Sequence, residues 1–188
     1  MLDLSKTDNT WTLFLDRDGV INHDKEGDYI RNWEEFRFYD DTVAAIEILS
    51  GLFHKILIVT NQKGVGKGLM TVADLDNIHS NMTLSLAKEG GRIDKIYYAS
   101  DLEDSAPNRK PNPGMAHQAA RDFETVDLSK SIVVGNRISD MGFGRNAGIN
   151  TVFVATTHPQ TAFPDPLIDL RFNSLYAFAQ ACLSLRKP

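Results

Sequence analysis

Five short apolar runs punctuate the chain: WTLFL (11–15), KILIVT (55–60), DKIYYA (94–99), SIVVG (131–135) and NTVFVA (150–155). They are rich in β-branched and aromatic residues and nearly continuous rather than alternating. That is the pattern of strands covered on both faces of a parallel sheet. Between them the apolar positions follow a helical period. In DDTVAAIEILSGLF (40–53), Val43, Ile46, Leu49 and Phe53 recur at helical spacing, with Gly51 near the end. A second helix is predicted over about Val72–Lys88. A third follows Asn112-Pro113-Gly114, with Asn112 as its cap and Pro113 at its first position. A fourth begins near Ser139. A C-terminal strand and helix are expected over about 168–186, the helix covering about Ser174–Leu185. This alternation predicts right-handed βαβ units and a doubly wound α/β sheet. The stretch from Asn22 to Tyr39 fits neither period, and a loop of that length is often functional.

Composition narrows the picture without redirecting it. With 188 residues, no internal repeat and no linker, the chain is expected to form one domain over 1–188, its core at about 11–155. The formal net charge is −5 with no basic run, which argues against nucleic acid or an anionic membrane as a partner. The single cysteine, Cys182, excludes an intramolecular disulfide and reads as a core thiol. No apolar run approaches a membrane span or a signal-peptide core. A cytoplasmic monomer is the expectation.

In doubly wound sheets, ligands bind beyond the carboxyl ends of the strands. Asp16-Arg17-Asp18 follows the first apolar run, and Thr60-Asn61-Gln62 ends the second. Arg109-Lys110-Pro111 follows the third, and Gly135-Asn136-Arg137 with Asp140 follows the fourth. Two carboxylates two residues apart at a strand end repel each other unless something binds there. Residues i and i+2 of an extended chain share a face, so Asp16 and Asp18 can address one site. With Asp140 they form a hard-oxygen cluster suited to Mg²⁺ and a phosphate oxygen. Lys110 adds a positive charge for the phosphate, and Thr60 with nearby backbone N–H groups can hold other oxygens. One carboxylate can then attack phosphorus while the other moves the proton. Taken singly, each signal is weak: a D-x-D is commonly a solvated turn, a lone Thr a cap, a lone Lys a surface charge. Their shared position at strand ends is what makes the set specific.

Two glycine-rich stretches are decoys. KGVGKG lacks the Gly at 61 and the Ser or Thr at 68 that a nucleotide-binding loop requires; its glycines read as bends near a phosphate. GFGRNAG (142–148) reads as small residues packing a helix onto the sheet. The five histidines form no metal spacing, and His23 reads as a surface loop residue. Trp33, Phe36 and Phe38 read as anchors of the long loop to the core.

FLDRDGVIN, IVTNQKGVGKG, RKPNPGM and VVGNRISDMGFGRNAGI resemble, in order, the four motifs of haloacid dehalogenase superfamily phosphatases. More closely, they resemble the capless branch of histidinol-phosphatases and D-glycero-D-manno-heptose-1,7-bisphosphate phosphatases. The similarity spans about Trp11–Val154. It implies a Rossmann-like three-layer α/β/α sandwich with a mainly parallel sheet, and hydrolysis of a small phosphorylated metabolite through an aspartyl-phosphate. A sugar phosphate or bisphosphate such as heptose 1,7-bisphosphate is favoured. Histidinol phosphate and a catalytically weak phosphosugar-binding role are the alternatives. By resemblance Asp16 is the nucleophile and Asp18 the general acid/base. Thr60, Asn61, Arg109 and Lys110 contact phosphate or substrate. Asp16, Asp18 (through its carbonyl), Asn136 and Asp140 make the Mg²⁺ site. Two features depart from the branch. Its zinc loop is replaced by ASDLEDSAPN (99–108), with no Cys or His, so no zinc is expected. Its Gly-Asp at the start of the fourth motif is Gly135-Asn136 here.

Overall fold

The structure is a computed structural model, and it describes residues 2–186. Met1 and the last two residues of the expected 1–188 domain lie outside the described residues.

The apolar runs fold as strands β1 (Thr12–Leu15), β2 (Lys55–Asn61), β3 (Lys95–Ala99), β4 (Ser131–Gly135) and β5 (Asn150–Val154), joined by a short β6 (Leu170–Phe172). All pair in parallel, in the order β3-β2-β1-β4-β5-β6. The order reverses at β1, which has β2 on one side and β4 on the other. The crevice opens outside that reversal.

Near-continuous hydrophobicity is explained by burial on both faces. Leu13, Leu15, Ile56, Ile58, Ile132, Val134, Val152 and Val154 enter one apolar cluster. Their intervening neighbours Phe14, Leu57, Val59 and Val133 enter another. The first cluster is closed by α1 (Thr42–Leu52), α3 (Val72–Lys88) and α6 (Leu175–Leu185), through Ile46, Leu75, Ile78, Met82 and Phe178. The second is closed by α4 (Gly114–Asp122) and α5 (Ile138–Ala147), through Met115, Ala119 and Phe143. This is the expected Rossmann-like three-layer sandwich.

Local chemistry fixes the helix starts. Thr71 and Asp74 form a reciprocal capping box at α3, and the Ser174 hydroxyl accepts from Ala177 N–H at α6. The expected cap of α4 is corrected. Pro113 itself occupies the N-cap, and Asn112 donates instead to the carbonyls of Asp104 and Ala106, tying down the segment before the helix. A helical turn, α2 (Lys63–Gly66), stands where only a glycine-rich bend was read. A β-carbon on Gly66 would lie 2.0 Å from the Ser100 carbonyl oxygen, so this turn passes against the end of β3 only because residue 66 is glycine.

The 22–39 stretch stays irregular apart from a 3₁₀ turn at Trp33–Glu35. Trp33, Phe36 and Phe38 pack on one another and against the main cluster, as read from the sequence. His23 is exposed and lies 4.0 Å from the Tyr39 ring. Cys182 is buried. Among the described residues no helix is long and apolar enough to cross a membrane.

The GFGRNAG segment lies within α5 and its end, where Gly144 faces the sheet. A β-carbon there would come within 2.5 Å of Thr151 Cγ2 and 2.7 Å of Val133 Cγ1. Gly144→Val should therefore push α5 off the sheet and cost about 1–3 kcal/mol, read as a lowered denaturation midpoint with unchanged slope. Unchanged stability would mean that α5 has room to move.

Candidate active site

β1 ends at Leu15, and the chain turns at once. The Arg17 carbonyl accepts from the N–H groups of Val20, Ile21 and Asn22, and Gly19 N–H donates to the Asn22 carbonyl. Gly19 has a φ of +85°, which favours glycine. A β-carbon at this position would also lie 2.0 Å from Asn136 Nδ2. The DRDG turn and the fourth motif thus meet only because residue 19 is glycine.

Lys110 is the hub of the site. Its side chain is 2% exposed, and its Nζ lies 2.9 Å from Asp16 Oδ1 and 2.7 Å from Asp140 Oδ1. It also donates to the Val59 carbonyl at 2.8 Å. The ammonium is thus ion-paired to two carboxylates and hydrogen-bonded to a backbone carbonyl. Asn61 holds the Lys110 backbone from both sides: its Oδ1 accepts from Lys110 N–H at 3.0 Å and its Nδ2 donates to the Lys110 carbonyl at 3.1 Å. Both ends of the Asn61 amide are thereby engaged with the lysine it positions. Asp140 takes Arg137 N–H on Oδ2 at 3.0 Å, closing the first turn of α5. A β-carbon on Gly135 would lie 2.5 Å from Asp140 Cγ, so that glycine is a condition of the arrangement.

Asp18 faces a different set of partners. Arg17 Nη2 donates to both its oxygens at 2.9 Å, Asn22 Nδ2 donates to Oδ1 at 2.9 Å, and Gln62 Nε2 donates to Oδ2 at 2.9 Å. Gln62 Nε2 also reaches the buried Thr60 hydroxyl at 2.9 Å, linking β2 to the DRDG turn.

The two aspartates are consequently tuned in opposite directions. Burial, reinforced by Asp140, pushes Asp16 up to about 7 against the pull of Lys110. Burial also works against Asp18, but the Arg17 charge and the hydrogen bonds from Asn22, Arg17 and Gln62 outweigh it and hold that carboxyl below its usual range. Lys110 loses some basicity to burial and regains more from Asp140 and Asp16, so it stays charged.

A cleft of about 600 Å³ opens above these groups. Asp16, Asp18, Thr60, Asn61, Arg109, Lys110 and Asp140 all line it. Asn136 does not line it but is fully buried against the turn. Its Nδ2 donates to the Thr157 hydroxyl at 2.6 Å, and its Oδ1 is buried without a partner. An unpaired buried carbonyl-type oxygen beside Asp16 and the DRDG turn suits a hard divalent cation. The outer cleft is lined by ion pairs rather than by free charge: Arg137 pairs with Asp24 at 3.1 Å, Arg109 with Asp104 at 2.9 Å, and Lys25 with Glu35 at 2.8 Å, and Asp24 and Asp104 line the cleft beside their partners. Arg109 Nη1 is buried without a partner.

The sequence reading missed Gln62, Arg17 and His79. Gln62 carried a visible signal, since it directly follows Thr60-Asn61 at a strand end. His79 lies on α3 at helical spacing with Leu75, Ile78 and Met82, where nothing marks it as different from a core position. It is buried, and burial together with the Arg17 charge pushes it down to about 3.

Comparison with known proteins agrees with this geometry. A HAD-hydrolase-like family model matches residues 107–162. The D-glycero-alpha-D-manno-heptose-1,7-bisphosphate 7-phosphatase of Mycobacterium bovis is 36% identical over 172 residues, covering 91% of this chain and 90% of that protein. The D-glycero-beta-D-manno-heptose-1,7-bisphosphate 7-phosphatase of Escherichia coli K12 is 33% identical over 185 residues, covering 94% and 95%. The crystal structure of the D,D-heptose 1,7-bisphosphate phosphatase of B. bronchiseptica, complexed with magnesium and phosphate, superposes with a TM-score of 0.83 at 28% identity, over 93% of this chain and 98% of that one. With relatives above 30% identity matched over nine-tenths of both chains, the chain belongs to the haloacid dehalogenase superfamily of phosphatases.

Proposed function

We propose that the chain hydrolyses the phosphomonoester of a small sugar bisphosphate, heptose 1,7-bisphosphate being the favoured candidate, as a single capless domain. The observation that carries the reaction is Lys110, buried between Asp16 and Asp140 at the reversal point of the sheet. For the substrate class, Arg109, Arg137 and Lys25 at the outer cleft would exchange their carboxylate partners for a second phosphate. The names of the relatives point the same way.

In this reading Asp16 attacks phosphorus, and Lys110 with Thr60 holds the phosphoryl oxygens. Asn61 keeps Lys110 in place, and the unpaired Nη1 of Arg109 meets substrate. Asp18 protonates the leaving oxygen and later takes a proton from the attacking water. Mg²⁺, held by Asp16, the Asp18 carbonyl and Asn136 with Asp140 beside them, would supply positive charge at the phosphoryl oxygens and at Asp16. The reading includes no structural zinc at segment 99–108, which offers no Cys or His. Asn136 also supports a second reading, a phosphosugar-binding relative of low activity, because its amide brings no charge to the cation. Histidinol phosphate is the other substrate to test.

A screen of phosphorylated metabolites with Mg²⁺ should give the highest kcat/KM on a sugar bisphosphate, and none with Asp16→Asn, whose amide cannot form an acyl-phosphate. Turnover surviving in Asp16→Asn would sink the covalent route. Failure of every phosphomonoester with the wild type would leave the binding role.

The raised Asp16 pKa also makes a claim about stability. The folded form holds that proton more tightly than the unfolded chain, about 7 against 3.8. The resulting contribution is complete below about pH 4 and is lost as pH rises through about 7. At about 1.36 kcal/mol per unit the span is a few kcal/mol. In chelator, Asp16→Asn should gain melting temperature relative to wild type between pH 5 and pH 8. A constant difference across that range would assign Asp16 an ordinary carboxylate pKa.

Asn136→Asp should lower the Mg²⁺ concentration giving half-maximal rate by about tenfold or more. A unit charge about 4 Å away is worth about 4 kcal/mol per cation charge at an effective dielectric near 20, before desolvation is subtracted. Superimposable Mg²⁺ curves would show that residue 136 does not reach the metal.

A further inference from the structure

Arg17 stands between the two aspartates of the DRDG turn, and its guanidinium is fully buried. Two of its nitrogens serve Asp18: Nη2 at 2.9 Å from both carboxyl oxygens, and Nε at 3.2 Å from Oδ1. The third, Nη1, lies 3.1 Å from Nε2 of His79. Arginine does not give up its proton in a protein, so His79 Nε2 must be the acceptor, and the ring is neutral with its hydrogen on Nδ1.

His79 is 8% exposed and sits in the middle of α3. That helix is fastened by its capping box at Thr71 and by Leu75, Ile78, Met82 and Leu86 in the core. A rigid element therefore ends in one acceptor atom, that acceptor meets one guanidinium nitrogen, and the rest of the guanidinium grips Asp18. A planar fork on a carboxylate fixes direction as well as charge.

We infer that His79 is a positioning residue for the proton transfer of the phosphatase reaction: by accepting from Arg17 Nη1 it locks the guanidinium fork, and through it the Asp18 carboxyl. This rests on the reading of Asp18 as general acid/base given above. Without the imidazole, a buried cationic N–H loses its acceptor, which is costly to leave unmade. The guanidinium then turns toward another acceptor, and the grip on Asp18 loosens.

The chemistry tells a loosened acid from a loosened fold. In the first half-reaction an Asp16 oxygen bonds to phosphorus, the bond from phosphorus to the leaving oxygen breaks, and the Asp18 proton passes to that oxygen. In the second, water bonds to phosphorus and gives its proton to Asp18, and the aspartyl oxygen leaves. A poor leaving group such as an alkyl alkoxide needs the proton, while a nitrophenolate departs without it. A misplaced Asp18 should thus slow alkyl phosphates selectively, whereas fewer folded molecules slow both alike.

The experiment measures kcat/KM for a sugar phosphate and for p-nitrophenyl phosphate, with Mg²⁺, in wild type, His79→Leu, His79→Gln, Arg17→Lys and Asp18→Asn. His79→Leu should lose about 10- to 100-fold on the sugar phosphate and less than about threefold on the aryl ester, a bounded share of what acid–base catalysis supplies. His79→Gln, which offers an amide oxygen to Nη1, should restore the ratio. Arg17→Lys keeps the charge but cannot grip both Asp18 oxygens and reach residue 79, and should show the same bias even where His79→Leu fails to fold. Equal losses on both substrates, or none, in His79→Leu or Arg17→Lys would overturn the role of His79. A bias in Asp18→Asn that is absent from those variants overturns that role alone. Its absence from Asp18→Asn as well overturns the acid/base reading of Asp18 itself.

Discussion

The arrangement depends on one buried ammonium. Lys110 is reached from three directions: the Asp16 carboxylate just past β1, the Val59 carbonyl on β2 and the Asp140 carboxylate from the first turn of α5. A buried charge is tolerable only when it is paired and fully hydrogen-bonded, and removing one partner of such a group typically costs about 3–5 kcal/mol. This constraint sets the spacing of the surrounding elements. Asn61 clasps the lysine backbone, Gly135 lets Asp140 approach, and Asp140 in turn starts α5. The sheet supplies the platform, but the ammonium determines how close its C-terminal ends come together.

Much of this was legible before any coordinates, because the physics involved is local or periodic. Two-sided burial writes continuous apolar strands, and five of the six were readable as such. Helical period marks α1, and the helices read over about 72–88 and 174–185 stand as α3 and α6. Strand ends in a doubly wound sheet have a fixed role, so Asp16, Asp18, Thr60 and Lys110 could be grouped without knowing their separations, and all four line one cleft. Local rules failed where a partner lies far along the chain. Asn112 looked like a cap from its neighbours, yet its amide is spent on Asp104 and Ala106. Arg17 and His79 are 62 positions apart, and neither carries a sign of the other. The sequence shows that Gly66 and Gly144 are small; only the packing shows the Ser100 carbonyl and the Val133 side chain that would collide with anything larger.

At position 136 the chain has asparagine where the phosphatase pattern it resembles has aspartate, and the difference is not merely a lost charge. Asn136 is integrated: it is buried, its amide nitrogen is paired with Thr157, and its bulk is accommodated by a glycine at position 19. One oxygen of its amide stays buried and unpaired. If that oxygen meets the proposed cation, it brings a dipole where a carboxylate would bring a charge. Holding the amide in place also holds the DRDG turn in place, so residue 136 carries a structural load whatever its affinity for metal.

The resting electrostatics run opposite to what the proposed reaction, with Asp16 as nucleophile and Asp18 as general acid, would ask. A nucleophile should be ionised, but Asp16 is pushed up by its burial and by Asp140. A general acid should carry a proton, but Asp18 is held down by Arg17, Asn22 and Gln62. In that reading both mismatches would be corrected by the two charges that turnover brings in. A divalent cation beside Asp16 favours its carboxylate form, and a phosphate dianion facing Asp18 favours its protonated form, since like charge raises a carboxyl pKa. Without those charges Asp16 is biased toward its neutral form and Asp18 toward its carboxylate. The grip of Arg17 sets how large that second correction must be: too strong and Asp18 never accepts a proton, too weak and it does not point at the leaving oxygen. A guanidinium tethered at its far nitrogen by a neutral imidazole can stay oriented while sharing its hydrogen-bonding capacity. Within the DRDG turn the arginine therefore matters as much for the direction in which it faces as for the charge it carries.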